Sequence, residues 1–245
     1  MTQIQTEAPA LSQWQRVGDV FVAPSATFAD IRRSASWWLP YLIIAFSVLV
    51  VSFSIGRKVG FPQVVENQIH QSASQESQIN SLDSPARAAR LSAMATGYRY
   101  TSYAYPLMVL AFAALGSLVL WATFNFALGA QTTYAQIFAV WMYANLPRVF
   151  SALVTTVTLW FGGSPENFNL QQPAGTNPGY YMTESPQWMR VLFSYFDVVG
   201  IWVLVLLIVG TAIVARVKVG RAAAVVIGWW LLVLVVSVSA TAAFQ

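Results

Sequence analysis

The chain has 245 residues, of which 57% are hydrophobic and only 9% are charged. A soluble domain has about 25% charged residues, so this composition excludes an ordinary soluble domain and indicates one polytopic membrane domain. The absence of cysteine excludes disulfides and thiolate chemistry. The net charge is +4, but the basic residues are scattered or flank apolar runs, and this distribution disfavours nucleic acid as a partner.

The segment before the first apolar run has two parts. Residues 1–12 are polar and small, and we expect them to be disordered. The membrane domain is predicted over residues 13–245. The basic segment and early apolar core of a signal peptide are missing, since the first apolar run begins only at Trp37. We therefore expect that run to be an uncleaved membrane anchor.

The segment from Trp14 to Arg33 is predicted to contain a short amphipathic helix that starts at Ser25 and lies in the lipid headgroup region. Ser25 can accept a hydrogen bond from the first turn of such a helix, and arginines at its end suit the helix dipole. The candidate lipid-interface residues are Phe21, Phe28, Ile31, Arg32 and Arg33. The alternative is a polar linker whose arginines only stop translocation.

Five apolar runs are long enough, at 1.5 Å per residue, to cross a hydrocarbon core of about 30 Å. The predicted spans cover residues 37–55, 103–128, 135–161, 189–215 and 222–244. The fold class is therefore an all-α transmembrane bundle of five spans, preceded by the interfacial helix. Ser84 and Pro85 are typical of a helix start, and we expect that helix to continue into the second span.

Two polar segments lie outside the predicted spans. The connection at 162–187 is dense in turn-forming residues, which predicts an ordered loop that covers one end of the bundle. His70, the one histidine of the sequence, lies among polar residues without metal ligands at a suitable spacing, so we expect a solvated side chain.

The distribution of cations predicts the orientation. With a cytoplasmic amino terminus, the inner and outer segments each hold six Lys or Arg residues, so the total decides nothing. Short segments close to helix ends carry the most weight, and residues 216–221 hold three cations. We therefore predict an integral membrane protein of a bacterial cytoplasmic membrane, with its amino terminus in the cytoplasm.

The third predicted span contains a break and a charge. Pro147 cannot donate a backbone hydrogen bond, which predicts that the carbonyl of Tyr143 lacks its helical partner. Arg148 follows it at membrane depth, and Asp197 lies about eight residues inside the fourth span. The candidate intramembrane polar site is Asn145, Pro147, Arg148 and Asp197. We expect an Arg148–Asp197 ion pair; the alternatives are a transport or ligand site, or an arginine that reaches lipid headgroups.

Catalytic patterns are missing from the sequence. It has no His-Glu-x-x-His or Gly-x-Ser-x-Gly element and no carboxylate cluster suited to a metal. These absences predict a protein that is not an enzyme and that uses no metal or other cofactor.

Three motifs resemble a known family. They are Val20-Phe-Val-Ala-Pro-Ser-Ala-Thr-Phe28 before a Trp-Trp-Leu-Pro start of the first span, Tyr143-Ala-Asn-Leu-Pro147, and Asp197 followed by Trp202. In this order they resemble bacterial members of the Yip family, named for Ypt/Rab-interacting proteins. The resemblance implies a five-helix membrane domain with a cytoplasmic amino terminus. Eukaryotic relatives bind small GTPases, but this chain lacks their long amino-terminal region.

Two functions from different classes remain. The first is a non-enzymatic membrane organiser or adaptor that binds lipid, a protein partner or a second copy of itself. The second is a small transporter or channel with a polar path at Asn145, Pro147, Arg148 and Asp197. A transporter needs a continuous polar face through several spans, and the sequence offers only these residues and Asn125, so the organiser is favoured.

Overall fold

A computed structural model describes residues 10–71, 73–162, 164–182 and 185–243. Within these ranges the regular structure is entirely helical. The α-helices are α1 (Gln13–Val22), α2 (Pro24–Ile31), α3 (Trp38–Lys58), α4 (Phe61–His70), α5 (Ala73–Asn80), α6 (Ser84–Ala122), α7 (Tyr134–Ala144), α8 (Arg148–Phe161), α9 (Gln187–Ser194), α10 (Val198–Ala215) and α11 (Val219–Ala243).

Five helical segments are long and apolar enough to cross a membrane. They are Trp38–Lys58, Ser84–Ala127, Tyr134–Phe161, Val198–Ala215 and Val219–Ala243. The predicted all-α bundle of five spans is therefore confirmed. The third segment is divided into α7 and α8, and the fourth predicted span begins later than expected, at Val198.

Helix α6 begins beside α4 and α5 and continues without interruption into the second span, as the sequence predicts. Its 39 residues extend for about 58 Å, well beyond the thickness of a hydrocarbon core. Asp83 rather than Ser84 caps it, because the Asp83 side chain accepts a hydrogen bond from the Ala86 N–H. Helices α4 and α5 pack on its outer half, with Val65 and Ile69 buried against Leu91 and Met94 of α6.

The loop after the third span is ordered in its described residues, 164–182, which contain two short 3₁₀ helices. The Asn67 Nδ2 group of α4 donates hydrogen bonds to the carbonyls of Pro165 and Phe168, at 2.8 and 2.9 Å. Phe168 is buried against Ile55 of α3 and Leu159 of α8. The loop therefore covers the carboxyl-terminal ends of these two spans.

The amino-terminal segment differs from the predicted interfacial helix. It forms two helices, α1 and α2, which pack against each other and against α10 and α7. Ser12, and not Ser25, supplies the first cap, in a reciprocal pair of hydrogen bonds with Gln15. The expected disorder of 1–12 does not extend to Ser12, and residues 1–9 lie outside the described part of the chain.

Phe28 and Ile31 show why the interfacial prediction is wrong for their side chains. Both are 0% exposed and belong to the main core, where they meet Val140 of α7 and neighbouring residues of α10. Gly210 makes the close approach possible, because a Cβ there would lie 2.9 Å from the Phe28 ring and 2.6 Å from Val140. The apolar face of the segment is thus covered by protein and not by lipid.

A buried ion pair joins the two amino-terminal helices. Arg16 donates to Asp30 Oδ2 through Nε and Nη2, both at 2.7 Å, and through Nη1 to the Ser34 carbonyl at 2.8 Å. The two side chains are only 2% and 5% exposed. A buried charge needs a partner and satisfied hydrogen bonds, and this geometry supplies both. The pair fixes α1 against α2 before the chain enters the first span.

Candidate functional site

The turn between α7 and α8 positions the first half of the site. Pro147 has no N–H, so the α-helical ladder stops, and the Leu146 N–H donates to the Tyr143 carbonyl at 3.2 Å instead. The Tyr143 carbonyl therefore lacks its α-helical partner, as predicted, and accepts this hydrogen bond from the residue three positions later in its place. Asn145 Nδ2 donates to the Trp141 carbonyl at 2.8 Å, and Arg148 Nε donates to Asn145 Oδ1 at 2.9 Å.

The corner between α9 and α10 positions the second half. Asp197 is the N-cap of α10, and its Oδ2 accepts a hydrogen bond from the Gly200 N–H at 3.0 Å. The predicted fourth span of 189–215 is therefore wrong in its first part, where α9 ends at Ser194. Asp197 lies at the start of the span and not within the helix, since its side chain satisfies an orphan donor of the first turn.

A cavity of about 680 Å³ lies between these two turns and the neighbouring spans. Four of the five spans each contribute one helical face, with residues spaced by three or four positions. The lining residues are Gly116, Val119 and Leu120 of α6, Trp141, Asn145 and Arg148 of the third span, Ser194, Tyr195 and Asp197 of the α9–α10 corner, Gly200, Val203, Leu204 and Leu207 of α10, and Val226, Trp229, Trp230 and Val233 of α11.

The polar groups of this cavity are confined to one end. They come from the two turns, whereas α6, α11 and the continuation of α10 contribute mostly apolar side chains. From Asp197 to Leu207 the α10 wall runs for about 15 Å and is apolar beyond the first turn. The cavity is therefore amphipathic along its length, as a lipid molecule is.

Arg148 and Asp197 share the cavity but do not form the predicted ion pair. Their charged atoms are not within 4.0 Å of each other, and in the described part of the chain Asn145 is the one hydrogen-bond partner of the Arg148 side chain. The prediction fails because Asp197 is turned toward its own helix as a cap. Asp197 Oδ1 is buried without a hydrogen-bond partner among the described residues.

The other predicted site residues named here do not line the cavity. Pro147 shapes the turn without lining the cavity. Phe21 packs edge-on against Phe150 and Trp202, with ring centroids 5.6 and 5.7 Å away. Arg32 is exposed, and Arg33 lies 3.3 Å from the Asp30 carboxylate.

Sequence reasoning missed Arg16 and Asp30, which form the buried pair of the α1–α2 hairpin. A signal was present, because Pro24 is well suited to a first helical turn and divides the segment into two helices. Opposite charges on both sides of such a turn can meet across the hairpin. No pattern in the sequence distinguishes the aromatic residues that line the cavity from aromatic residues that face lipid.

The described residues contain no group of three His, Cys, Asp or Glu side chains that could hold a metal. Asn125 is also structural, since its amide exchanges hydrogen bonds with Thr132 at 2.9 and 3.1 Å. His70 is exposed and lies 3.1 Å from the Glu76 carboxylate, outside the bundle.

Five apolar helical segments, with irregular backbone at the two turns of the polar site, define a polytopic α-helical membrane protein. The Yip1 domain model matches residues 18–240, nearly the whole chain. The chain therefore belongs to the Yip1 family, as its motifs indicate. Neither a curated protein nor a solved structure matches it.

Proposed function

We propose that this protein is a non-enzymatic membrane organiser that holds a membrane lipid in the cavity between α6, α7, α10 and α11. One observation carries the proposal. The polar side chains of the cavity are collected at the α7–α8 and α9–α10 turns, and the remainder of its wall is apolar. Small-molecule sites combine apolar walls with a few convergent polar groups, and this arrangement matches a headgroup joined to an acyl chain.

We also propose the setting of this function. The amino terminus and the 216–221 segment face the cytoplasm of a bacterial cell, and the outer layer of α4 and α5 faces away from it. The cations at 216, 218 and 221 support this orientation, because short basic segments at span ends are retained in the cytoplasm. The lipid is then taken up from the bilayer around α11, whose Val233 is 53% exposed.

The proposal is tested by filling the cavity. Val233→Trp places a bulky ring at the cavity wall, and Val235→Trp is the matched control, because Val235 is 56% exposed on the same helix and does not line the cavity. Native mass spectrometry of the full chain, released from mild detergent, measures retained phospholipid. We expect one lipid per chain in the wild type and the control, and loss of that lipid in Val233→Trp.

Equal lipid retention in all three proteins would contradict lipid binding in this cavity. Retention of a protein instead of a lipid, or a stable dimer that Val233→Trp disrupts, would favour the adaptor form of the hypothesis, in which a partner covers the same face.

The transporter hypothesis has one observation in its favour, which is that Asn145, Arg148 and Asp197 line a single cavity. The apolar wall beyond Gly200 disfavours it, since a polar solute would lose its hydration there without gaining partners. Solute efflux from proteoliposomes distinguishes the two functions. Leakage that depends on Arg148 would support a transporter, and proteoliposomes as tight as empty vesicles would support an organiser.

A further inference from the structure

The unused hydrogen-bonding groups of the cavity define the chemistry of its ligand. Most polar side chains that line it already have partners: Tyr195 donates to Ser237 at 2.7 Å, Ser194 to the Val191 carbonyl at 2.7 Å, and Trp229 to Thr123 at 3.1 Å. Among the described residues, the exceptions are the indole N–H groups of Trp141 and Trp230, which are uncharged, the terminal guanidinium nitrogens of the exposed Arg148, and the Oδ1 atom of Asp197.

The two charged exceptions, Arg148 and Asp197, have opposite signs. The Arg148 guanidinium offers donors to an anion, and its planar shape suits the oxygens of a phosphate. Asp197 Oδ1 is buried and lacks a donor, a condition that costs free energy until a ligand supplies one. Four side-chain atoms in the described residues are buried without a partner, and Asp197 Oδ1 is the one whose residue lines the cavity.

From this charge complementarity we infer that the cavity selects a phospholipid whose headgroup carries a primary ammonium group beside its phosphate. The phosphate binds Arg148, the ammonium donates to Asp197 Oδ1, and an acyl chain lies along the apolar wall of α10 and α11. The inference rests on the proposed lipid-binding function and adds the class of headgroup.

Other headgroups provide only part of what the two protein charges require, which is an anion for Arg148 and a cationic hydrogen-bond donor for Asp197. A choline headgroup has no N–H, so it cannot donate to Asp197 Oδ1, although Tyr195 and Trp230 could attract its charge through their ring faces. A glycerol headgroup has hydroxyl groups that can donate to Asp197 Oδ1, but it places no cation beside the carboxylate, so the charge of Asp197 is not neutralised. A headgroup with a phosphate and a primary ammonium pairs with Arg148 and Asp197 at the same time. This pairing limits the free-energy cost of removing the charged groups from water.

The test is a headgroup competition on the purified full chain. Phospholipids with identical acyl chains and ethanolamine, choline or glycerol headgroups are supplied in equal amounts, and native mass spectrometry counts each retained lipid. We expect the wild type to retain the ethanolamine lipid over the choline lipid by about tenfold, as one hydrogen bond to a charged group allows.

Two conservative variants assign the contacts. Asp197→Asn keeps the helix cap, since asparagine is as good an N-cap as aspartate, and removes the charge. It is expected to bring the ethanolamine-to-choline ratio close to one. Asp83→Asn is the matched control, because Asp83 caps α6 in the same way outside the cavity and should leave the ratio unchanged. Arg148→Gln should weaken retention of all three lipids, and Arg90→Gln, on the exposed outer part of α6, should not.

The outcomes separate this inference from the function on which it rests. A preference for the choline or the glycerol lipid, or an ethanolamine preference that survives Asp197→Asn, would overturn the inference. If lipids are retained without headgroup preference and Val233→Trp still removes them, lipid binding stands and the inference fails. If Val233→Trp has no effect on retention, both fail.

Discussion

Arg16 and Asp30 form an ion pair at 2.7 Å that lies buried between two short helices at the amino terminus. The pair converts an apparently interfacial segment into a helical hairpin that is part of the bundle. Thr27 donates a hydrogen bond to the Arg16 carbonyl at 3.1 Å, which is a second polar contact between the two helices.

Removing one member of this pair should destabilise the protein strongly. Arg16→Met leaves Asp30 buried without its main partner, at a cost of about 3–5 kcal/mol in the free energy of unfolding. The double variant Arg16→Met/Asp30→Leu should recover most of that loss, because no charge then remains buried. Thermal unfolding in mild detergent checks the order of midpoints. Arg32→Gln, at an exposed position of the same segment, is the control; a midpoint for Arg16→Met equal to that control would contradict the prediction.

The contact between α2 and α10 predicts an effect of glycine replacement. Gly210→Ala places a methyl group against Phe28 and Val140, and overpacking of this kind costs about 1–3 kcal/mol. The loosened hairpin should also become more susceptible to limited proteolysis around Ala23. Gly220→Ala is the matched control, because a Cβ at Gly220 meets no atom within 4 Å and alanine favours a helix. Equal proteolysis of both variants would argue that the hairpin does not depend on this contact.

The tether between α4 and the outer loop gives a third prediction. Asn67→Ala removes two hydrogen bonds to the carbonyls of Pro165 and Phe168. Each typically contributes about 1 kcal/mol, so the loop should exchange its amide hydrogens faster. Hydrogen–deuterium exchange across residues 164–182 measures the change. Asn80→Ala, at an exposed position of α5, should leave exchange there unchanged; unaltered exchange in Asn67→Ala would show that the tether does not order the loop.

Topology is predicted by the cations of the loop before α11. A reporter that is active only outside the cytoplasm should be silent when fused after Arg221 and active when fused after Gln245, since one span separates the two positions. Activity at Arg221 together with silence at Gln245 would reverse the orientation.

The sequence predicts most of the fold, because five apolar runs and the continuous helix into the second span depend on local signals. It does not predict the environment of Phe28 and Ile31, since an apolar helical face looks the same whether lipid or protein covers it. The partner in this case, Gly210 with its neighbours on α10, lies far along the chain.

The sequence names three residues that line the cavity, and it does not give their geometry. Asn145, Arg148 and Asp197 do line one cavity, yet the expected ion pair is missing. The sequence around Asp197 is equally compatible with a charge inside a helix and with a helix cap. The end of α9 at Ser194 and the start of α10 at Val198 show that it is a cap. The apolar walls of α6 and α11 could not be separated from ordinary lipid-facing surfaces by hydrophobicity alone.

The occupant of the cavity is the central claim, and photo-crosslinking tests it most directly. A phospholipid with a diazirine in its acyl chain is incorporated with the full chain in nanodiscs, and crosslinked peptides are mapped on α10 and α11. If a phospholipid occupies the cavity, crosslinks should concentrate on Val226, Trp230 and Val233 and should be lost from Val226 and Trp230 in Val233→Trp. Crosslinks spread evenly over α11, including the outward-facing Leu231 and Val235, and unchanged by Val233→Trp would contradict this claim.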